Sequence, residues 1–588
     1  MGSTTLTLVD RLEHHAMAQS GRNGFTYLEN GERETGNRSF PHLDARARVI
    51  ASWLTRNGYA GKHVLLLLRD GLEFIDALMG CLYAGVVPVP AVVPRPNRSL
   101  STLLAIATDA EAAGAIAKRD DEAYLKPAMA ESLPHMSWLC LDEVDGNADE
   151  WSGRKIEPDD LALLQYTSGS TGTPKGVMVT HANLMHNLAA VQHSMRLSQE
   201  SLFVGWLPLF HDMGLIGNMM QPLYLGIPCV LMPAVAFLQK PVRWVNAIST
   251  YRATVSGAPN FAFDLTVDKT SLEQRAALDL RSWEVAFNGS EPVRAETIER
   301  FATAFAPAGF RRTSFYPCYG MAESTLFITG VSQGTEPTIF PFDSSTSAAG
   351  DDQCDQNANA GKKLVGCGYP APGTQIAVVD PESRVTLPDG IVGEIWVGGG
   401  SVGAGYYKKP LQTKQMFQAH TADTGEGPFL RTGDLGLMRG GQVFITGRIK
   451  DIIIVRGRNH YPQDLEVTAE SSNPMLAKGA GAAVGLEDDR RTTIAIIHEL
   501  TREGWRRADR GAVTGDIREA IAAKHGLHVS RVVLIKPGSL PRTTSGKVRR
   551  SACLAMAQAE TLHTGQSQTV LNVPQSEQVL IQTTTEVA

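Results

Sequence analysis

Residues 166–176 concentrate the side chains that could bind an anion. They read Tyr-Thr-Ser-Gly-Ser-Thr-Gly-Thr-Pro-Lys-Gly and lie between two apolar runs, 161–164 and 177–179. Hydroxyl groups and glycines packed into a tight loop leave many backbone N–H groups free, and such groups form an anion-binding nest. Lys175 adds a positive charge. The pattern therefore predicts a phosphate-binding loop.

This loop differs from the common P-loop of nucleotide-binding proteins. Pro174 precedes the lysine where that motif needs Gly, and Gly176 follows it where Ser or Thr would bind magnesium. A strand-like run follows the loop, so a helix dipole is not the obvious source of anion affinity. A polar surface hairpin would use the same residue types, because Ser, Thr, Gly and Pro are ordinary turn residues.

The length and composition of the chain limit its class. A chain of 588 residues should hold two or more domains, and 43% hydrophobic and 20% charged residues are ordinary for a globular protein. A formal net charge of −6 predicts no nucleic-acid partner. Seven dispersed cysteines without a C-x-x-C pair are typical of reduced thiols in a cytosol.

Membrane association is not indicated either. The first residues lack the cationic-then-apolar pattern of a signal peptide. The most apolar stretch, residues 82–93, is interrupted by Pro88 and Pro90 and is too short to span a bilayer. We therefore expect a soluble, cytoplasmic protein with no stable membrane anchor.

The elements that must position the loop alternate between helix and strand. Residues 39–53 and 72–83 have helical spacing, whereas 63–68 and 86–93 are short apolar runs, which predicts parallel strands in a doubly wound α/β sheet. Thr180 is a plausible N-cap for the helix after the loop. Residues 393–401 and 405–407 fit a small glycine-rich β-subdomain.

The last part of the chain predicts a smaller domain. Its order is helix, strand (492–497), helix, strand (532–535), and from about residue 561 the chain is rich in Gln, Thr and Ser without a reliable period. We expect a small α+β domain followed by a disordered tail.

Several other stretches could contribute to chemistry around a phosphate. Tyr319 is an aromatic side chain that could stack on a planar ring. Glu323 is a carboxylate, the ligand type that magnesium uses, although taken alone it would be a solvated residue at the start of a helix. Asp434 lies in a Thr-Gly-Asp sequence that predicts a turn, where an Asp often only caps the backbone. Lys547 follows a Thr-Ser-Gly turn, although an isolated basic run is usually a solvated face.

Together these motifs resemble the adenylate-forming superfamily, which includes acyl- and aryl-CoA ligases, luciferases and nonribosomal adenylation domains, and the resemblance covers most of the chain. It implies ATP and Mg²⁺ as cofactors, with Glu323 and Thr171 at the metal and Lys547, Glu323 and His211 as catalytic residues. The nucleotide-binding residues that it implies are Thr167, Ser168, Gly169, Ser170, Thr171, Gly172, Lys175, Ser290, Glu291, Pro292, Tyr319, Gly320, Met321, Asp434 and Arg448.

The resemblance also implies a domain organisation. Residues 1–448 would form a large N-terminal adenylation domain of doubly wound sheets plus a β-subdomain, 449–560 a mobile lid domain, and 561–588 the tail, with Lys450 as the hinge. The predicted acyl pocket lies after His211, which would sit near the carboxylate being activated. Its proposed residues serve equally well as core: Met213, Gly214, Ile216 and Met220.

Two features resemble the fatty acyl-AMP ligase branch. Residues 331–363 form a polar stretch where that branch carries an insertion thought to restrain the lid domain, and 459–462 read Asn-His-Tyr-Pro. This branch activates a fatty acid and transfers it to the phosphopantetheine of a holo acyl carrier protein. An ordinary acyl-CoA ligase is the alternative. His211 after Phe210, where an amino-acid-activating domain has Asp, disfavours that class, and the intact motifs disfavour a non-catalytic paralogue.

Overall fold

The structure is a computed structural model that describes residues 7–19, 23–96, 99–167, 174–342, 362–455, 458–488, 491–542 and 546–559. The chain forms two compact units. The first contains the described residues of 1–93, 104–167 and 174–447, and the second contains the described residues of 94–103 and those from 448 onward. The predicted tail, most of the predicted insertion, and loop residues 168–173 lie outside the described residues.

The helices described before residue 448 belong to the first unit, except that the first three residues of the helix at Ser101–Asp109 lie in the second. Their bounds are α1 (Leu8–Ala18), α2 (Phe40–Arg56), α3 (Leu72–Ala84), α4 (Ser101–Asp109), α5 (Arg119–Met129), α6 (His181–Ser194), α7 (Gln221–Leu225), α8 (Ala234–Gln239), α9 (Val242–Tyr251), α10 (Asn260–Lys269), α11 (Leu272–Ala276), α12 (Ala295–Phe305) and α13 (Pro410–Phe417).

The strands of the first unit form several sheets. Their bounds are β1 (Asn23–Leu28), β2 (Glu34–Ser39), β3 (His63–Leu67), β4 (Val87–Pro90), β5 (Gly114–Ala117), β6 (Ser137–Cys140), β7 (Leu161–Thr167), β8 (Lys175–Thr180), β9 (Phe203–Gly205), β10 (Cys229–Leu231), β11 (Val255–Gly257), β12 (Val285–Asn288), β13 (Phe315–Gly320), β14 (Phe327–Gly330), β15 (Ile339–Phe342), β16 (Lys362–Val365), β17 (Tyr369–Pro370), β18 (Thr374–Val379), β19 (Gly393–Gly399), β20 (Gly405–Tyr406), β21 (Leu430–Arg439) and β22 (Gln442–Arg448).

The two large sheets confirm the predicted α/β class. One has the order β4-β3-β5-β6 and is parallel throughout. The other has the order β17-β14-β13-β12-β11-β9-β10-β1-β2, with a parallel centre and antiparallel strands at both edges. A four-stranded sheet, β18-β19-β21-β22, forms the predicted β-subdomain.

Capping residues explain where the predicted helices begin and end. The Ser39 hydroxyl accepts the His42 N–H before α2, and Gly85, in the left-handed region, ends α3. Thr180 and Asn183 form a reciprocal capping box at the start of α6, which confirms Thr180 as its N-cap. Local sequence therefore determines these boundaries.

The prediction that residues 405–407 belong to the β-subdomain was wrong. The short strand β20 pairs with β8, giving a separate sheet in the order β20-β8-β7, and it does not join the β-subdomain. The residues on either side of β20 also bond to β8. The Ala404 N–H donates to Met178 O, and the Tyr407 N–H donates to Gly176 O. Glycine content predicted the strand but could not identify its partner.

The second unit is a three-stranded sheet between helices. Its elements are β23 (Ile453–Val455), β24 (Arg458–His460), α14 (Pro462–Ser472), β25 (Leu476–Asp488), β26 (Arg491–Leu500), α15 (Arg502–Arg507), α16 (Arg510–His525), β27 (Val529–Ile535) and α17 (Arg550–Ala559). The long strand β25 was not predicted. Its alanines and glycines hide the usual strand pattern, yet it pairs along nearly all of β26.

Alternation along β26 divides the core of the second unit into two layers. Ile494 and Ile496 face α14 and α16, whereas Ala495 and Ile497 face α17. In the described part of the chain no helix combines the length and apolarity that crossing a membrane requires.

Candidate active site

The predicted phosphate loop is the connection of a β-hairpin. Strands β7 and β8 pair antiparallel, and Thr167 is the register partner of Lys175. The residues between them that were predicted to bind phosphate, Ser168, Gly169, Ser170, Thr171 and Gly172, lie outside the described residues. The two described ends of the loop are therefore held opposite each other.

Neighbouring side chains hold this hairpin in place. The Tyr166 hydroxyl donates to Asp109 Oδ2 at 2.7 Å, and Lys409 pairs with the same carboxylate. On β7, the Gln165 amide donates to Phe210 O at 3.0 Å, so the hairpin is bonded directly to the segment that precedes His211. Gln165 was not among the predicted site residues, because a lone Gln in a strand carries no distinctive signal.

Glu323 lies in a short 3₁₀ turn, Ala322–Ser324, beside this hairpin. The Glu323 backbone O accepts the Gly403 N–H at 3.0 Å. Thr325, which follows the turn, has φ +63°, and its hydroxyl donates to Ser401 O at 2.7 Å. The Glu323 side chain is equally constrained, since Oε1 accepts the Tyr406 hydroxyl at 2.9 Å.

Lys175 approaches the same tyrosine. Its Nζ lies 5.0 Å from the centroid of the Tyr406 ring, within the range of a cation–π contact. The structure therefore brings two predicted site residues, Lys175 and Glu323, to one side chain that the sequence did not single out. The only sequence signal for Tyr406 was its place in the Gly405-Tyr406-Tyr407 stretch.

The donor set fits a metal ion that arrives with a polyphosphate. No group of three or more His, Cys, Asp or Glu side chains among the described residues could hold an ion by itself. Mg²⁺, however, commonly uses one or two carboxylates and completes its shell with phosphate oxygens and water. Glu323, with Oε1 fixed by Tyr406, fits that role, and the second predicted ligand, Thr171, lies outside the described residues.

The predicted nucleotide-binding segment, Ser290 to Pro292, follows β12 and is held by Asn260. The Asn260 amide donates to Glu291 Oε1 at 3.0 Å and to Pro292 O at 2.9 Å, and its own Oδ1 accepts the Arg294 N–H. Ser290 has φ +72°, a strained value for a residue with a side chain. A buried Asn therefore fixes a backbone segment that is not regular structure.

Tyr319 and Asp434 come together from separate strands. Tyr319 lies on β13, and its hydroxyl donates to Asp434 Oδ2 at 2.8 Å. Gly320, next to Tyr319, packs so closely on Leu326 O that a Cβ would lie 1.9 Å from it, and the Met321 N–H donates to the same oxygen. These contacts bring together four predicted nucleotide-binding residues: Tyr319, Gly320, Met321 and Asp434.

The prediction that Asp434 lies at a turn was wrong. Asp434 belongs to β21, at an irregularity where the pairing of β19 and β21 shifts register. Gly433 has φ +68°, and the Asp434 N–H donates to the Thr432 hydroxyl at 3.1 Å. The Thr-Gly-Asp sequence therefore marks a bulge inside a strand, which uses the same backbone freedom as a turn.

His211 precedes a π-helix, Met213–Met220. Its Nδ1 lies 3.4 Å from Asp212 Oδ1, and the Asp212 carboxylate also accepts the Met213 N–H at 2.8 Å. π-Helices are rare and occur mostly at functional sites. A Cβ on Gly214 would lie 2.1 Å from Pro208 O, so only glycine lets the π-helix start this close to the preceding loop.

The predicted acyl-pocket residues all lie on this π-helix. Gly214, Ile216 and Met220 are buried, whereas Met213 is half-buried. Nearby, the indole of Trp206 stacks on Phe237 with ring centroids 3.9 Å apart, and Trp244 meets both edge-on. The structure places these residues in one apolar region, which is as compatible with core as with a pocket wall.

The remaining predicted residues belong to the second unit. Arg448 ends β22, and Lys450 lies in the 3₁₀ turn Ile449–Asp451. Lys547 is exposed and is followed by the bridge residue Val548, which pairs with Arg542. The Arg550 guanidinium, 18% exposed, contacts Glu466 at 2.7 Å and Asp451 at 3.5 Å, so ion pairs join the start of α17 to the segment around Lys450.

Comparison with known proteins identifies the family. The model for AMP-binding enzymes matches residues 12–407, and the model for the AMP domain of Disco-interacting protein 2-like proteins matches residues 450–567. The chain belongs to the AMP-binding enzyme family and, within it, to the fatty acyl-AMP ligase branch.

Individual relatives support this placement over nearly the whole chain. The chain is 44% identical to the medium-chain-fatty-acid–acyl-carrier-protein ligase JamA of Moorena producens (strain JHB), covering 93% of this chain and 94% of JamA. It is 36% identical to the long-chain-fatty-acid–AMP ligase FadD26 of Mycobacterium tuberculosis (strain ATCC 25618 / H37Rv), covering 94% of this chain and 97% of FadD26. The crystal structure of a fatty acyl-adenylate ligase from L. pneumophila, in complex with acyl adenylate and pyrophosphate, is 35% identical with a TM-score of 0.72, covering 95% of this chain and 96% of that one.

Proposed function

We propose that this protein uses ATP to convert a fatty acid into an acyl-adenylate, with release of pyrophosphate, and transfers the acyl group to the phosphopantetheine of a holo acyl carrier protein. One observation supports the adenylation step. Glu323 and Lys175 both contact Tyr406, beside the hairpin whose connection is the predicted phosphate loop. A carboxylate and a cation held around an anion-binding loop suit a polyphosphate substrate.

The chemistry requires two anions to approach each other. A carboxylate oxygen of the fatty acid attacks the α-phosphorus of ATP, a new O–P bond forms, and the bond from the α-phosphorus to the bridging oxygen of pyrophosphate breaks. Mg²⁺ held by Glu323 and Thr171 would supply charge neutralisation on the phosphates. Lys175 and the backbone N–H groups of residues 168–172 would hold the phosphates, and Lys547 would stabilise the charge that develops.

The remaining residues orient the substrates. Tyr319, Gly320 and Met321 would form one face of the adenine site, and residues 290–292 the other. Asp434 would accept the ribose hydroxyls while its Oδ2 is held by the Tyr319 O–H, with Arg448 as a further contact. His211 would lie beside the fatty-acid carboxylate, and the π-helix residues Met213, Gly214, Ile216 and Met220 would line the start of the acyl pocket.

Domain movement is part of the proposal. The large domain at 1–448 and the lid at 449–560 would close for adenylation and rotate about Lys450 for transfer, and the insertion at 331–363 would restrain that rotation. JamA carries the acyl-carrier-protein assignment in its name, which favours a carrier protein over CoA as acceptor here. Cytoplasmic location stays a prediction from cysteine usage.

Product analysis distinguishes the two acceptors. The protein is incubated with ATP, Mg²⁺ and a panel of fatty acids, first with CoA and then with a holo acyl carrier protein. We expect acyl-AMP that accumulates in the presence of CoA and is consumed by the holo carrier protein. Prompt formation of acyl-CoA would instead establish an acyl-CoA ligase. Failure of ATP–pyrophosphate exchange with every acid would support a non-catalytic paralogue.

A further inference from the structure

Tyr406 contacts two predicted site residues that are distant from it in the chain. Lys175 lies 231 residues before Tyr406, and Glu323 lies 83 residues before it. Its hydroxyl donates to Glu323 Oε1 at 2.9 Å, and its ring faces the Lys175 ammonium at 5.0 Å. The side chain is only 6% exposed. One buried residue therefore contacts both the predicted metal ligand and the predicted phosphate-binding lysine.

The hydrogen bond to Glu323 constrains how that carboxylate can be used. A bond from a phenol to a carboxylate is charge-assisted and roughly twice as strong as one between neutral groups. It occupies Oε1 and fixes the orientation of the carboxyl plane. Among the described residues Oε2 accepts no hydrogen bond, so this second oxygen is available to a cation.

The ring constrains Lys175 in a different way. A lysine ammonium is strongly hydrated and is carried on a flexible four-carbon chain, so it needs a neighbouring group to hold it in one position. The face of an aromatic ring within about 6 Å attracts an ammonium electrostatically. Because Lys175 begins β8 and Tyr406 ends β20, the pairing of these two strands fixes the distance between the ring and the lysine backbone.

Tyr406 is itself held rigidly. Its N–H donates to the Thr413 hydroxyl at 3.0 Å, the Thr413 hydroxyl returns a bond to Tyr406 O, and the Phe417 ring packs edge-on at 5.0 Å. A Cβ on Gly405 would lie 2.3 Å from Thr413 Cγ2, so glycine at 405 permits this close approach. A residue fixed this firmly can transmit position to its partners.

We propose that Tyr406 is a positioning residue for adenylation, which holds Glu323 and Lys175 in one geometry so that magnesium and the triphosphate are bound together. The proposal rests on the proposed function, because it needs ATP as the ligand. It predicts two separable contributions to ATP binding. The hydroxyl contributes to the Mg²⁺-dependent part through Glu323, and the ring contributes to the metal-free part through Lys175.

Two substitutions separate these contributions. Tyr406→Phe removes the hydroxyl and keeps the ring, whereas Tyr406→Leu removes both. Binding of ATP is measured by calorimetry in chelator and at increasing Mg²⁺, and ATP–pyrophosphate exchange is followed over the same range. For Tyr406→Phe we expect the Mg²⁺ concentration at half-maximal effect to rise about tenfold, with metal-free ATP binding unchanged. For Tyr406→Leu we expect metal-free ATP binding to weaken as well, by about three- to tenfold.

Tyr407→Phe is the matched control. Tyr407 is the adjacent tyrosine, and its ring packs edge-on against His63 at 4.8 Å, while its hydroxyl bonds to Glu111 and to neither Glu323 nor Lys175. We expect both binding measurements to stay within about twofold of wild type, because this substitution leaves both contacts of Tyr406 in place. Thermal melts of all three variants identify any loss of folding, which would lower metal-free and metal-dependent binding equally.

The outcomes are distinct. An unchanged Mg²⁺ dependence in folded Tyr406→Phe overturns the positioning role, while the proposed function stands if wild type still performs exchange. Equal losses with and without metal in a folded variant also overturn it, because that pattern indicates a general structural role. Absence of Mg²⁺-dependent ATP binding in wild type overturns the proposed function and this inference together.

Discussion

The two catalytic charges predicted from the sequence, Glu323 and Lys547, lie in regions that are built differently. Glu323 is held by backbone and side chain, with Gly403 bonded to its carbonyl and Tyr406 to its carboxylate. Lys547 is exposed, and the segment around it is held by Arg542, whose guanidinium donates to Gly546 O at 2.8 Å, and by the bridge to Val548.

The difference lies in which interactions fix the position. Around Glu323 the main chain of β20 and β8 sets the geometry, and backbone ladders admit few alternatives because a slip reverses every side chain. Around Lys547 the fixed points are arginine contacts, above all the cluster of Arg550, Glu466 and Asp451. We infer that the first region is preorganised, whereas the second depends on charges that substitution can remove one at a time.

The largest expected effect tests Lys547 against Glu323. Lys547→Ala should lower ATP–pyrophosphate exchange by about 10²–10³-fold, because it removes the cation that would stabilise the charge developing on the phosphates. It should leave the Mg²⁺ dependence of the residual rate unchanged, whereas Glu323→Gln should shift that dependence to higher concentration.

Arg549→Ala provides the control, since Arg549 is an exposed cation two residues away in the same basic run. Its rate should stay within about twofold of wild type. An exchange rate near that of wild type in Lys547→Ala would show that Lys547 has no catalytic role, and the comparison with Glu323 would no longer hold.

An intermediate effect is expected from the ion-pair cluster of the second unit. Arg550→Met leaves Glu466 and Asp451 without their cation, and both carboxylates are at most 18% exposed. The free energy of unfolding of this unit should fall by about 2–3 kcal/mol. Hydrogen exchange followed by mass spectrometry should show faster exchange in α14 and α17.

Arg507→Met is the matched control in the same unit, because the Arg507 pair with Glu503 is 78% and 64% exposed. For an exposed pair of this kind we expect the free energy of unfolding to fall by less than about 0.5 kcal/mol. Equal effects of the two substitutions would show that the Arg550 cluster has no special role in holding the start of α17, which follows Lys547.

The smallest expected effect concerns the first unit and depends on pH. Asp70 accepts the Leu209 N–H at 2.8 Å, and burial raises the pKa of Asp70 to about 6. Because the folded pKa lies above the ordinary value of 3.8, the ionised carboxylate is disfavoured in the folded state, and stability rises as pH falls from above 6 towards 4. Asp70→Asn keeps an acceptor for Leu209 and removes the charge.

We therefore expect Asp70→Asn to stabilise the protein by about 1–2 kcal/mol at pH 7, with the difference disappearing near pH 4. Chemical unfolding at the two pH values measures it. If Asp70→Asn were less stable than wild type at pH 7, the negative charge of Asp70 would be needed to hold the loop before His211. That result would contradict the expectation that the hydrogen bond to the Leu209 N–H is sufficient.

Local sequence patterns predicted much of the fold. The helices α2, α3 and α6 follow from apolar spacing and from caps such as Ser39, Gly85 and Thr180, all of which act within a few residues. β25 was missed because its small residues give no period, and its place depends on pairing with β26. Strand identity is weakly encoded where packing against a distant neighbour decides it.

The sequence by itself determined the family, the α/β class and the residue types of the site, because the motifs around Lys175, Glu323 and Lys547 are contiguous strings. Only the tertiary structure showed that β20 pairs with β8, that Asp434 lies at a strand bulge, and that Tyr406 joins Lys175 to Glu323. These facts depend on which distant backbone completes a strand's hydrogen bonds. That choice is made by packing over the whole domain, and no short stretch of sequence contains it.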